Sequence, residues 1–133
     1  MVSEQAWLPY GRQTITAADE QAVLECLRGD FLTQGPAVPA FEAALAVACQ
    51  APHAVAFNSA TSALHAACLA LGLGPGDRLW TSPISFVASA NCGLYCGARV
   101  EFVDIDPATA LISLPLLEQR LQEAEREGTL PKL

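Results

Sequence analysis

From His53 to the end of the chain, short apolar runs alternate with longer Ala- and Leu-rich stretches, separated by turns of Gly, Pro and Ser. This alternation constrains the fold more than any other feature, because strand and helix patterns bury their apolar faces with different periods. His53–Phe57 reads as a strand, Ser59–Leu71 as a helix, Gly72–Asp77 as a turn and Arg78–Thr81 as a second strand. A helix from Ser85 to about Cys96, a strand from Arg99 to Ile105 and an amphipathic helix from Pro115 to Glu127 follow. Thr129–Leu133 has the look of an approach to one more strand. Strand–helix–strand units joined by short turns predict an α/β fold with a mainly parallel sheet, covered by helices. About three strands are available against the five or six of a typical sheet, so the expected sheet is incomplete.

The opening of the chain is organised differently. Residues 1–13 read as extended and irregular. Thr16, followed by Ala-Ala-Asp-Glu, is a helix start with a hydroxyl cap and acids in the first turn. Ala22, Val23, Cys26 and Leu27 share one face, and Gly29 is the expected stop. Asp30–Pro36 is a loop broken by Gly-Pro, and a second helix spans about Val38 to Cys49 with Phe41, Leu45 and Cys49 on one face.

A chain of 133 residues is enough for one domain with a real core. It contains no uninterrupted apolar run of about 18 residues that would predict a membrane helix. The N-terminus lacks the basic flank and apolar run of a signal peptide, so a cytoplasmic location is expected. A net charge of −7, with scattered arginines and a single lysine, Lys132, argues against nucleic acid. The five cysteines include no CxxC pair and make a poor disulfide or zinc framework. Cys92 and Cys96 have i,i+4 spacing, but His53 and His65 complete no ligand set, so small buried thiols are expected and no metal.

Three segments carry candidate chemistry. In Ala56–His65, small and hydroxyl residues stand where a strand gives way to a helix, and such a helix end presents unpaired N–H groups to an anion. Ser59, Thr61 and Ser62 add hydroxyls there, while Asn58 or Ser59 serves equally well as a plain helix cap. Thr81–Asn91 occupies the same position one unit later, so both loops should open on the carboxyl edge of the sheet. Phe86 in this loop suits stacking on a flat ring, although spacing alone favours a core residue. The acids of Val103–Pro107 could meet a metal or a ribose, and a turn is the preferred reading. Gly72–Gly76 is no dinucleotide fingerprint, since it follows a helix and precedes a strand.

Taken in order, Asn58-Ser59-Ala60-Thr61-Ser62-Ala63-Leu64-His65, Gly74-Pro75-Gly76-Asp77 and Thr81-Ser82-Pro83-Ile84-Ser85-Phe86-Val87-Ala88 resemble the DegT/DnrJ/EryC1/StrS family of sugar aminotransferases. Val100–Asp106 fits the same pattern, and the resemblance runs from about residue 8 to the end. Tyr10 and Phe31-Leu32-Thr33-Gln34-Gly35-Pro36 look most like the branch acting in pseudaminic acid biosynthesis, which moves an amino group from glutamate to C4 of a UDP-linked 4-keto-6-deoxy sugar.

The resemblance implies a pyridoxal-phosphate-dependent transferase of the aspartate-aminotransferase type (fold type I), represented by its N-terminal part. Residues 1–35 would be the arm, helix and substrate-side loop, and residues 36–133 the first part of the large cofactor-binding domain. It also implies pyridoxal 5′-phosphate as cofactor, a UDP-linked keto sugar and glutamate as substrates, and a homodimer at full length. Ser59, Ala60 and Thr61 then match positions that hold the cofactor phosphate, and Phe86 matches the aromatic stacked on its ring. Tyr10, Asp30, Phe31, Leu32 and Thr33 match positions lining the sugar-nucleotide pocket. The lysine that binds the cofactor covalently and the acid that meets its pyridine nitrogen come later in the family than Leu133; Lys132, Asp104 and Asp106 do not match them. These residues alone are therefore expected not to transaminate. A dehydratase offshoot, with histidine in place of the lysine, and a non-catalytic binding protein are the alternatives.

Overall fold

The computed structural model describes residues 11–133; the expected extended arm through Tyr10 lies outside the described residues. The chain divides into two compact units, one ending at Val55 and one spanning Ala56–Leu133.

In the first unit, α1 spans Ala17–Arg28 and α2 spans Ala37–Ala48. The Thr16 hydroxyl accepts from the Asp19 N–H, and the Asp19 carboxylate accepts from the Thr16 N–H at 2.7 Å, a reciprocal capping box. The Thr16 N–H first, and then the Thr16 hydroxyl 2.8 Å from the same carboxylate, hold the Asp19 carboxyl below its ordinary pKa. Gly29 ends α1 in an extended conformation, with φ −73°, rather than in the left-handed one common at helix ends. Neither helix buries any of its residues, and Val23 and Phe41 are both more than half exposed.

In the second unit, α3 (Ala60–Ala70) leads through a turn to β1 (Arg78–Thr81), α4 (Ala88–Tyr95) crosses to β2 (Arg99–Phe102), and α5 (Leu114–Glu127) follows. The turn into β1 uses Gly72 and Gly76 at φ +71° and +91°, a region that a residue with a Cβ enters only under strain. β1 and β2 pair in parallel, with Arg78 opposite Arg99 and Thr81 opposite Phe102. α4 packs on both strands and α3 packs on α4. Cys68, Leu73, Leu79, Cys92, Cys96 and Ala98 form the buried cluster, with Val100 against it. Burial, followed by the neighbouring Cys92 thiol, pushes the Cys68 thiol up to about 11, so it packs as an uncharged group. Cys26 and Cys49 are exposed, which corrects the expectation that all the cysteines are buried. Both belong to the first unit, Cys26 in α1 and Cys49 capping α2, and those helices bury nothing.

The strand expected at His53–Phe57 joins no ladder among the described residues, where the sheet has two strands. A strand exists only through its pairing, and the chain end supplies the further partner to β1. The Lys132 N–H donates to the Arg78 carbonyl at 2.8 Å, and the Trp80 N–H donates to the Leu133 carbonyl at 2.9 Å. β2 stops at Phe102 rather than Ile105, which instead makes an isolated antiparallel bridge to Ile112. α4 begins at Ala88 rather than Ser85, because residues 85–87 are drawn into the bonded turn that precedes it. No helix among the described residues is long and apolar enough to cross a membrane.

Charge ties the second unit together as well. Glu101, only 14% exposed, meets Arg78 at 2.6 Å, Arg99 at 2.9 Å and Arg120 at 3.0 Å. Arg120 also donates to the Phe102 carbonyl, and its guanidinium lies 4.6 Å from the centre of the Trp80 ring.

Gly93 marks the tightest point of the α4 crossing. A Cβ added there would lie 2.9 Å from Val100 Cγ2 and 3.3 Å from Leu79 Cβ. Gly93→Ala should lower stability by about 1–2 kcal/mol, since overpacking outweighs alanine's better helix propensity. The midpoint of urea unfolding, compared with that of the unsubstituted chain, checks this.

Candidate functional site

The path of the chain sets the edge on which each candidate residue stands. α3 ends at the turn feeding the amino end of β1, so its own N-terminus is directed toward the carboxyl edge. α4 leaves from the carboxyl end of β1 and returns to the amino end of β2. Cys68 late in α3 packs with Cys92 in α4 and with Cys96, which caps the end of α4, as expected of two helices running the same way. The start of α3 and the loop before α4 therefore open on one edge, where parallel sheets gather their ligands.

Ser59 is the N-cap of α3, extended at φ −158°. Its Oγ accepts from the Ser62 N–H at 3.2 Å and lies 3.0 Å from the Ser62 hydroxyl, so this side chain is engaged in capping. The N–H groups of Ala60 and Thr61 belong to the first turn and have no helix carbonyl to donate to. Together with the Thr61 hydroxyl and the positive end of the helix dipole, they form a donor set suited to a phosphate dianion.

Phe86 lies in the loop after β1 and is 73% exposed, which overturns the core reading that spacing favoured. A flat group at this edge has an aromatic face available to it.

In the first unit, Asp30, Phe31 and Leu32 line a hollow of about 630 Å³ with Cys26, Pro36 and Val38. That volume falls within the usual range for a small-molecule site. Thr33 does not line the hollow, and Tyr10 lies outside the described residues.

Lys132 stands elsewhere. Its Nζ donates to the Gly72 carbonyl at 2.6 Å and to Asp77 Oδ2 at 3.0 Å, at the turn that enters the amino end of β1. Asp104 accepts from the Ile105 N–H and Asp106 from the Ala108 N–H, both at 2.8 Å, so these acids hold a turn. Among the described residues, no group of three or more His, Cys, Asp or Glu side chains could hold a metal ion. Sequence reasoning missed the bond between Ser85 and Ser89, whose oxygens lie 2.8 Å apart around Phe86; their i,i+4 spacing was the available signal.

The α/β unit, with its parallel strands and crossing helices, has the fold of the early part of a fold type I pyridoxal-phosphate-dependent domain. The fold is similar to that of Spr1654 of Streptococcus pneumoniae, assigned as a sugar aminotransferase and solved in apo, PLP and PMP forms. The PLP form matches 84% of this chain and 29% of that one, with a TM-score of 0.79 and 34% identity. Residues 13–127 match the DegT/DnrJ/EryC1/StrS aminotransferase family, and the chain belongs to that family. It is 43% identical over 112 residues to the spore coat polysaccharide biosynthesis protein SpsC of Bacillus subtilis, covering 84% of this chain and 29% of that protein. It is 39% identical over 123 residues to the UDP-4-amino-4,6-dideoxy-N-acetyl-beta-L-altrosamine transaminase of Campylobacter jejuni, covering 92% of this chain and 32% of that protein. The chain thus spans less than a third of the length of these relatives.

The Lys132 contact gives a test by pH. Lys132 first, then the Gly74 N–H, holds the Asp77 carboxyl below its ordinary value of 3.8. A depressed folded pKa means that the contribution of Asp77 to stability is complete above about 3.8 and is lost as pH falls through the lower folded value. An NMR titration of the Asp77 carboxyl carbon should show a midpoint below 3.8, and Lys132→Met should move it upward.

Proposed function

We propose that this chain contributes the cofactor-phosphate and ring-stacking part of a sugar-nucleotide aminotransferase. In this reading the whole enzyme transfers an amino group from glutamate to C4 of a UDP-linked 4-keto-6-deoxy sugar, in pseudaminic acid biosynthesis. The observation that carries the reading is the common edge of the α3 start and Phe86, with Lys132 tied at the opposite end of β1. The similarity to the Campylobacter jejuni transaminase supports the substrate class.

Bound pyridoxal phosphate supplies an electron sink for moving the amino group between donor and keto carbon. The Ala60 and Thr61 N–H groups and the Thr61 hydroxyl hold its phosphate, with Ser59 setting the helix start. Phe86 would stack on the face of the cofactor's ring. Asp30, Phe31 and Leu32, together with Tyr10 and Thr33, take the sugar nucleotide. The arm, helix and loop of residues 1–35 serve the substrate, and residues 36–133 begin the large domain. In this reading the covalent lysine and the acid for the pyridine nitrogen are not among these residues; the bonds of Lys132 to Gly72 and Asp77, and of Asp104 and Asp106 within a turn, support it. On this reading these 133 residues alone would not transaminate. The whole enzyme is a cytoplasmic homodimer.

The test uses pyridoxamine 5′-phosphate, whose lack of an aldehyde keeps random lysine adducts out of the measurement. Its fluorescence reports binding, and competition by inorganic phosphate reports the phosphate subsite alone. Thr61→Ala should weaken both about tenfold, as for a hydrogen bond to a charged group. Phe86→Ala should weaken pyridoxamine phosphate and leave the competition constant of phosphate unchanged. No binding by the unsubstituted chain, or indifference to both substitutions, refutes the reading.

A second experiment addresses the lysine. After incubation with pyridoxal phosphate and borohydride reduction, peptide mapping should find no more adduct at Lys132 in the folded chain than in the denatured one. Selective trapping at folded Lys132 would show that this residue is the covalent lysine after all.

A further inference from the structure

We propose that Ser85 and Ser89 are positioning residues for the Phe86 ring, an inference that rests on the cofactor reading above. Phe86 is 73% exposed, so burial does not set its direction. What holds its backbone is a pair of bonds that close around it. The Ser85 and Ser89 hydroxyl oxygens lie 2.8 Å apart, and the Ser89 N–H donates to the Phe86 carbonyl at 3.0 Å. Among the described residues no side-chain capping bond is made at the start of α4, where the cap residue is Val87. Just beyond, Ala88 is 3% exposed and fixes the helix against the unit. The serine bridge thus ties the loop residue before Phe86 to the first turn of a packed helix. With the backbone held, only the two side-chain torsions of Phe86 remain to be ordered when a flat ring arrives, which lowers the entropic cost of stacking.

The two hydroxyls engage each other, whereas the phosphate donors named above stand at α3. Their loss should therefore be felt by the ring and not by the phosphate.

The experiment is a double-mutant cycle on this chain, read with pyridoxamine 5′-phosphate and with inorganic phosphate as competitor. Ser89→Ala should weaken pyridoxamine phosphate about threefold, the scale of one exposed neutral hydrogen bond, and leave phosphate unchanged. Ser85→Ala should do the same, since either change breaks the same bridge, and Ser89→Thr should restore binding. In a Phe86→Ala background, Ser89→Ala should have no further effect, because the residue it acts through is gone. An equal loss in both backgrounds, a parallel loss of phosphate affinity, or no loss at all overturns the proposal while leaving the cofactor reading intact. Failure of the unsubstituted chain to bind pyridoxamine phosphate overturns the cofactor reading first, and this proposal with it.

Discussion

The close approach of α4 to the two strands is the constraint on which the second unit depends. Position 93 has room for a hydrogen but not for a methyl, with Val100 and Leu79 pressed against it. That contact lets a short helix cover both strands and return the chain to the amino end of β2, which makes a parallel pair possible. The other consequences follow from direction. Turns that feed strands collect on one edge, and loops that leave strands collect on the other. The start of α3 and Phe86 fall on the leaving edge; the Lys132, Gly72 and Asp77 contact falls on the feeding edge.

Charge reinforces the arrangement at the side of the sheet. One carboxylate, Glu101, serves guanidiniums from β1, β2 and α5. Removing a mostly buried acid from water is costly, and several well-placed donors are needed to offset that cost. Arg120 does more than pair, because it also covers the Trp80 ring and bonds to the end of β2. The Trp80 indole nitrogen beside it is buried and has no hydrogen-bond partner among the described residues. Such a group costs stability, which stacking under Arg120 offsets in part.

The chemistry rests on a division of labour between backbone and side chains. At α3 the side chain of Ser59 is spent on forming the helix end, which leaves peptide N–H groups as the principal donors. At Phe86 the aromatic side chain is exposed, and the Ser85 and Ser89 hydroxyls on either side of it meet. In the proposed reading a phosphate would be met by fixed dipoles and a ring by an aromatic surface, a combination suited to a cofactor with one charged end and one flat end. The hollow bordered by Asp30, Phe31 and Leu32 is built within the first unit from residues close together in the chain.

Features built from neighbouring residues were legible in the sequence. The Thr16–Asp19 box, the Ser59 cap, the glycine turn before β1 and the position of β1 itself agree with their reading, because each depends on bonds or torsions within a few residues. The start of α3 was legible for the same reason. Tertiary structure alone decided which partners those elements found. Among the described residues it left His53–Phe57 outside any ladder and brought the chain end to β1, since pairing depends on a neighbour distant in sequence. It exposed Phe86, Cys26 and Cys49, whose apolar character says nothing about which faces become covered. It also gathered three arginines on Glu101, which the sequence shows only as scattered charge. Local geometry is set by the peptide chain over one turn; burial and ion pairing are set by which distant surfaces meet.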